Sequence, residues 1–507
     1  AFDPALSELS NAYRKEFKEE ESIGNYYFWR GEEKVVASRA QLLELYKKAV
    51  EEIPIISIED AFAEDDYEGW RRLMAELGDK IFIIGDDLVT TKDSTIEECA
   101  DQKLINTALI KANQIGTLSE TVLAVLVAFG KGLDIVVSHR SKSPNDDMEA
   151  QIALAANALG LKTGGGANTE RLFKYGAVTK VMKDMIKLSR TAFKEEPRVE
   201  LGDFIDKLVI TEIIAYEEPT NAGIPTVGVE VYVGLKGSKR YRKLLRFTGA
   251  TPLGTSAGVD EAIHLVDSII EDSPLVARYQ EMFVEQPDRT YRFKKEITEE
   301  DIKEKDDPDL TELWLKAQRY KGKGCKNAVD NVVNIIAPEF IGRKMSELKN
   351  IADVDKKLLL LEGKAALMRK KISKDDSREK IIEVLQRKAN LGMNAVLTVS
   401  LAIARLIAHV QGRDLWELLR EEMKEVMAKT IAANGGAEVL TGIVDSASLG
   451  KMSSDGKLSW ESLKTELSLS ELVQGLQAVE KKLKQQGRKL YETLRTQISI
   501  YDVEIFK

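Results

Sequence analysis

Asp3, Glu59 and Asp86 each stand where a short apolar run gives way to polar sequence. Three carboxylates brought to one rim suit a hard divalent cation. Magnesium fits best, because it prefers oxygen ligands, keeps part of its water and leaves room for substrate oxygens. Capping of the following helix is the other ordinary use of an acid in that place. Lys111 ends the apolar run of Ala-Leu-Ile-Lys-Ala-Asn-Gln. Partial desolvation and a nearby metal ion would both disfavour its ammonium form and bring it toward a useful base. A lysine that only carries its amine out to solvent is the alternative. His139-Arg140-Ser141 offers a bidentate cation and a hydroxyl, a grip for phosphate. Lys162 precedes Thr163-Gly164-Gly165-Gly166, where a cation can hold a carboxylate and glycines let backbone approach a ligand. Together these groups describe a base that takes a proton next to a carboxylate while metal ions stabilise the enolate dianion. Such carbon acids are very weak, so charge stabilisation must remove most of the barrier.

The elements that must position these groups repeat. Short apolar or β-branched runs, Ile53–Ile58, Ile81–Ile84, Thr107–Ile110, Asp134–Val137 and Leu159–Leu161, each end in the polar residues just named and lead into helical sequence. Their spacing, about 25 residues, is that of one strand–helix unit. Repeated units predict a parallel sheet, and a (β/α)8 TIM-like barrel gathers strand-end residues at one mouth. A doubly wound open sheet is the alternative. Residues 185–207 read as a linker or surface helix. Leu208–Tyr216 and Pro225–Leu235 then alternate as paired strands around turn signals at Pro219, Asn221 and Gly223. Helical patterns dominate afterwards: apolar in Ala328–Ile336 and Asn394–His409, lysine-rich and solvated in Glu362–Arg387, amphipathic in Leu467–Leu494.

With 507 residues the chain is long enough for two domains. Its diffuse net charge of −9 argues against nucleic acid or an anionic membrane as partner, though not against a small anionic substrate in a local basic pocket. Cys99 and Cys325 are the only cysteines, which gives neither a disulfide framework nor a zinc motif. The three histidines, His139, His264 and His409, are too scattered for a histidine-rich metal site. The first residues turn charged at once, and apolar runs such as Thr121–Phe129 are too short to span a bilayer. A cytosolic protein is expected.

Several of these segments resemble the enolase family. Ser57-Ile58-Glu59-Asp60-Ala61-Phe62 and Gly85-Asp86-Asp87-Leu88 are similar to its metal-ligand strands, and Leu109 to Glu120 to its catalytic-lysine signature. Val137 to Ser141 and Leu161 to Gly164 complete the barrel set. Gly322-Lys323-Gly324-Cys325, Asn390 to Ala395 and Pro252 to Gly258 resemble its N-terminal domain, the last as a mobile active-site loop. The resemblance implies an α/β fold, an enolase-type barrel with a smaller α+β domain. It also implies a hydro-lyase interconverting 2-phosphoglycerate and phosphoenolpyruvate, for which a lysine base paired with magnesium is an established pattern. Asp3, Glu59, Asp86 and Ser256 would hold Mg2+. Lys111 would be the base, with His139 among the catalytic groups. Ser138, His139, Arg140 and Ser141 would hold the phosphate side of the substrate, and Lys162 its carboxylate, with Glu59, Asp86 and Ser256 also lining the site. By this resemblance residues 1–184 are the later half of the barrel, 185–207 a linker, 208–412 the N-terminal-type domain and 413–507 the first part of the barrel. The order is rotated relative to the family. Asn434-Gly435-Gly436 resembles a family loop but lacks its histidine. The Gly-Asp-Glu-Gly-Gly segment that carries the acid-side glutamate is not found. Thr220-Asn221-Ala222 replaces the Asp-Ser-Arg of the homodimer contact that the family implies. These departures favour, as the second reading, an enolase-type protein kept for binding or structure.

Overall fold

The structure is a computed structural model that describes residues 1–190, 202–238, 242–254, 261–286, 289–454 and 457–506. The first unit is a parallel sheet of β1 (Ser57–Glu59), β2 (Phe82–Gly85), β3 (Thr107–Ile110), β4 (Asp134–Ser138) and β5 (Gly160–Lys162). The strands are hydrogen-bonded in sequence order, and Phe2 bridges Ile58 in parallel ahead of β1. A doubly wound sheet reverses its strand order at a switch point. This order never reverses, so the sheet is a sector of a TIM-type barrel, half closed. All five expected strands form, trimmed by a few residues at their ends. Between or after them come α1 (Tyr67–Leu77), α2 (Asp93–Asp101), α3 (Leu118–Gly130), α4 (Met148–Ala156) and α5 (Thr169–Arg190). Strands β2 and β3 are near-continuous apolar runs, the pattern of strands covered on both faces.

Residues 185–207 do not form a separate linker in full. Met185–Arg190 complete α5, Gly202–Lys207 make a 3-10 turn, and 191–201 lie outside the described residues. Next, β6 (Leu208–Pro219), β7 (Pro225–Leu235) and β8 (Leu245–Ala250) form an antiparallel sheet with β7 in the middle. The long apolar helix Met393–Val410 packs on β7 and β8. A satellite core then forms: Ile270, Val276, Met282, Phe283, Ile302, Leu310 and Trp314 cluster apart from the main core. It is built from a hairpin of β9 (Phe283–Glu285) and β10 (Tyr291–Phe293) and from α6 (Pro308–Gln318).

Helices α7 (Ile351–Met368), α8 (Arg378–Arg387) and α9 (Met393–Val410) follow. Helix α9 is long and apolar enough to cross a membrane, but 83% of it is buried inside the protein. Glu362, expected in a solvated stretch, is fully buried. It accepts from the backbone N–H groups of Asn390 (3.0 Å) and Leu391 (2.8 Å), which anchors the turn before α9.

Residues 413–507, expected to supply the first part of the barrel, contribute no strand to the parallel sheet among the described residues. They form α10 (Leu415–Asn434), α11 (Leu469–Gln485), α12 (Leu490–Ile498) and short turns. The reason is their period. Leu415, Leu418, Leu419, Met423, Val426 and Met427 recur at three and four residues and are buried, a helical stripe that cannot lie flat as a strand. Leu467–Leu494 is likewise two helices, broken at Gly487. Asn434 and the glycines after it end α10: the Gly435 and Gly436 N–H groups both return to the Ile431 carbonyl. That motif is a helix C-terminus here, not a barrel loop. The helices α10, α11 and α12 pack on α3, and α10 also on α4. Helix α3 is apolar around nearly its whole circumference, so it needs this second layer as well as the sheet.

Candidate active site

The tips of β1 to β5 carry the site. Glu59 ends β1, Asp86 follows β2, Lys111 follows β3, Ser138 ends β4 and Lys162 ends β5. Parallel pairing brings these ends side by side: Glu59 is in register with Ile84, and Ser138 with Lys162. The N–H of His139 then donates to the Lys162 carbonyl at 2.8 Å.

The charges pair in alternation. Lys162 Nζ lies 2.8 Å from Asp3 Oδ2 and 2.8 Å from Glu59 Oε1. Burial works against the Lys162 charge, but Glu59 and Asp3 more than offset this and its pKa is raised. Glu59 is raised by its burial, eased by Lys162 and pushed further by the charges of Asp3 and Asp86. Lys111 Nζ forms an ion pair with Asp86 Oδ2, both side chains almost wholly buried. Gln114 ties this pair to the next: its Nε2 donates to Asp86 Oδ1 at 3.0 Å and to Glu261 Oε1 at 3.1 Å. Thr91 orders both sides of β3's end, donating to Gln114 Oε1 at 2.6 Å and accepting the Lys111 N–H at 2.9 Å.

Arg140 turns inward and is held by Glu261 through two hydrogen bonds of 3.2 and 2.9 Å. A β-carbon at Gly254 would overlap its guanidinium, so the bare backbone there is what lets the arginine pass. His139 is half-buried and its pKa falls to about 4, first through burial and then through Arg171, Lys174, Lys162 and Lys111. It is neutral at neutral pH, and the cations that depress it make the mouth of the sheet attractive to anions. Ser138 donates to the His139 carbonyl at 3.0 Å, and Ser141 is exposed. Asn221, at the turn between β6 and β7, docks on this loop: its Oδ1 accepts the Ser143 N–H at 3.2 Å. Ser256 lies outside the described residues.

Among the described residues, the three acids whose carboxylate oxygens all come within 4.8 Å of one another are Asp60, Asp86 and Asp87, so only Asp86 is shared with the expected trio. Asp60 is committed elsewhere. Its two oxygens accept the backbone N–H groups of Asp86 (2.9 Å) and Asp87 (3.2 Å) and shape the loop after β2. Burial and the two neighbouring acids raise its pKa, and Asp87 is pushed up to about 6 by burial and Asp86. The expected trio of Asp3, Glu59 and Asp86 is thus not brought together as one group within that distance. All three are hard oxygen ligands, and the charges of Asp3 and Asp86 both bear on Glu59. Asp3 and Glu59 already share one cation, the Lys162 ammonium.

Glu261, Gln114, Asp60 and Thr91 had no assigned role from sequence. Gln114 sits inside the lysine signature, where its proximity was visible. Glu261 comes from the other domain, beyond the loop of 252–258, and only the fold brings it to Arg140.

A half-barrel whose successive strand tips gather acids, a lysine and an arginine defines the α/β-barrel class of acid–base sites. Comparison with known proteins gives the family. The model of the enolase C-terminal TIM barrel domain matches residues 1–196, and that of the enolase N-terminal domain matches residues 210–419. The enolase of a Nitratiruptor species is 38% identical over 182 residues, which cover 36% of this chain and 41% of that protein. The match thus spans less than half the length of that relative. This protein belongs to the enolase family, with the two domains in permuted order.

Proposed function

We propose that the chain is an enolase-type hydro-lyase that interconverts 2-phosphoglycerate and phosphoenolpyruvate. The observation that carries this reading is the Lys111–Asp86 pair at adjoining strand tips, with Gln114 joining Asp86 to Arg140's partner Glu261. Asp3, Glu59 and Asp86, with Ser256, would hold Mg2+, which supplies positive charge to stabilise the enolate dianion. Lys111 takes the proton from the carbon beside the substrate carboxylate. A base of this kind contributes about 10²–10⁴ in rate. Lys162 holds the carboxylate, while Arg140, Ser138 and Ser141 hold the phosphate beside a neutral His139. The half-buried walls exclude water from Lys111, so its contacts count for more than they would in solvent. Two buried free cysteines suit a reducing, cytosolic setting.

A second reading rests on one specific observation. Residues 413–507 form helices where the first barrel strands would bring the acid-side groups, which favours a protein that binds substrate with little turnover.

The test is ultraviolet absorbance of phosphoenolpyruvate with purified protein, 2-phosphoglycerate and magnesium, alongside calorimetric binding. The wild type should show a magnesium-dependent rise. Lys111→Met and Lys111→Arg should both lose at least 10²-fold in rate, and Lys111→Arg should keep the ion pair with Asp86 and hence the stability. Magnesium-dependent binding without any rise supports the second reading, and neither binding nor turnover rejects both.

A further inference from the structure

Beside the strand-tip site lies a second cleft of about 730 Å³. It opens between the satellite unit of 268–318 and the loops at Lys142 and Gly254. Its size is that of a small-molecule site. Five cations line it, Lys142, Arg292, Lys295, Lys321 and Lys323, and none of the described residues lining it is acidic.

Lys321 and Lys323 come from the basic run of residues 319–326, but Arg292 and Lys295 come from an acidic unit. Residues 268–318 hold fourteen acidic and eight basic residues, and the whole chain has a net charge of −9. Yet the wall that this unit turns to the cleft offers Arg292 and Lys295 and no carboxylate. Three of its other lysines are neutralised by ion pairs: Lys303 pairs with Glu299 at 2.6 Å, Lys305 with Glu281 at 3.2 Å and Lys316 with Asp330 at 3.2 Å. None of the five cleft cations forms an ion pair with a carboxylate among the described residues. Among the described residues, Arg292 donates to Ser268 Oγ, at 3.0 Å. Lys142 and Lys323 bear on one another, so burial and the Lys323 charge both lower the Lys142 pKa. His264 also lines the cleft, and its buried Nδ1 has no hydrogen-bond partner among the described residues. Unpaired like charges facing one concavity are costly unless an anion joins them.

We propose that this cleft is a second anion site, distinct from the strand-tip site, that takes a small molecule bearing two or more phosphate groups. One phosphate carries at most two charges and cannot face five cations set around a cleft of this size. A short polyphosphate can reach several at once. The apolar floor of Val266, Leu253 and Ala317 leaves room for an organic body as well as for a bare polyphosphate. Arg140 and the cleft share the thin wall at Gly254, but Arg140 faces the other way, toward Glu261. The charge of the cleft is independent of the reaction at the strand tips.

The test is titration calorimetry of the full chain with sodium tripolyphosphate, inorganic phosphate and a decamer of glutamate at low ionic strength. Tripolyphosphate should bind saturably, one per chain, at least tenfold more tightly than either comparison anion, and added salt should weaken it. Arg292→Ala/Lys295→Ala, both exposed, should weaken it at least tenfold with an unchanged circular dichroism spectrum. Lys321→Ala/Lys323→Ala should do the same from the opposite wall. Lys303→Ala/Lys305→Ala should leave it within twofold. Absence of saturable binding, unchanged binding in the first two variants, an equal loss in the third or preference for the acidic peptide would each overturn the assignment.

Discussion

Arg140 cannot serve substrate and Glu261 equally, and replacing Glu261 by glutamine turns that conflict into a measurement. Both side chains are about 5% exposed, so water offers the arginine little compensation. Glutamine keeps one acceptor oxygen but loses the counter-charge, and its amide donor faces either Arg140 or Gln114 Nε2, which is also a donor. Breaking one side of a buried ion pair costs about 3–5 kcal/mol. Because one acceptor survives, the lower end of that range, about 3 kcal/mol, is expected. An anion arriving at Arg140 restores the missing charge. A ligand at a hundred times its Kd stabilises a protein by about 2.7 kcal/mol. In Glu261→Gln the same ligand should stabilise by at least about 1.4 kcal/mol more, which corresponds to a tenfold gain in affinity. The assay is urea unfolding, with and without 2-phosphoglycerate and magnesium, for both proteins. If the variant loses less than about 1 kcal/mol, or if ligand stabilises both proteins equally, Glu261 does not occupy Arg140 in place of the substrate anion.

Two further outcomes are expected. Lys388 and Glu120 form a fully buried ion pair at 2.6 Å, so Lys388→Met should cost about 3–5 kcal/mol, while Lys388→Met/Glu120→Gln should recover much of it because no lone charge remains; urea midpoints of the four-protein cycle measure this, and additive single effects would contradict it. Glu422 is half-buried, and its pKa is pushed up to about 8 by desolvation. The folded state therefore binds more protons than the unfolded one between about pH 4.5 and 8, and the cost of ionising Glu422 grows as pH rises through that window. Glutamine keeps the acceptor for the Ile351 N–H, so Glu422→Gln should match wild type near pH 4 and exceed it by a few kcal/mol above about pH 8; an equal effect at both pH values would refute the assignment.

The strand tips were legible because a parallel strand writes itself locally: Thr-Ala-Leu-Ile must be covered on both faces, and the polar residue after it must stand at an end. The 25-residue spacing then gave the order of the sheet. What could not be read was anything that depends on distant partners. Asp60 adjoins Glu59, and a regular strand would turn its side chain away from the site; at φ +45° it leaves the strand and instead caps the loop at Asp86 and Asp87. Glu362 looked like one more charge in a lysine-rich helix, because its partners, the N–H groups of Asn390 and Leu391, appear only after α7 and α9 have packed. Residues 413–507 were assigned by their place in a rotated family order, although their own three-and-four spacing pointed to helices.

The segment that carries Lys111 is held from three directions, and this gives the helical C-terminal region a role in the site that it would not have as mere covering. Ser119 N–H donates to Asp355 at 2.8 Å, and Leu118 N–H to Ser400 Oγ at 3.3 Å, so the second domain fixes the start of α3. Lys388 passes close to Gly116, whose φ of +94° belongs to the left-handed region, and donates to the Ile115 carbonyl at 2.5 Å. From the C-terminal region, Tyr501, just past α12, donates to Glu120 at 2.8 Å, and Arg495 of α12 clamps Asp93, which Gln386 also reaches at 3.3 Å. Hydrophobic residues of equal volume would often be as stable as such buried charges. A charged network does something that a greasy contact cannot: its directional hydrogen bonds favour the registers in which every buried donor and acceptor is matched. A base must stand within hydrogen-bond reach of its proton, and a lysine on a short turn keeps that position only if the turn is pinned. Residues 413–507 therefore supply, through Tyr501 and Arg495, part of the rigidity that a closed barrel would otherwise impose on the Lys111 turn.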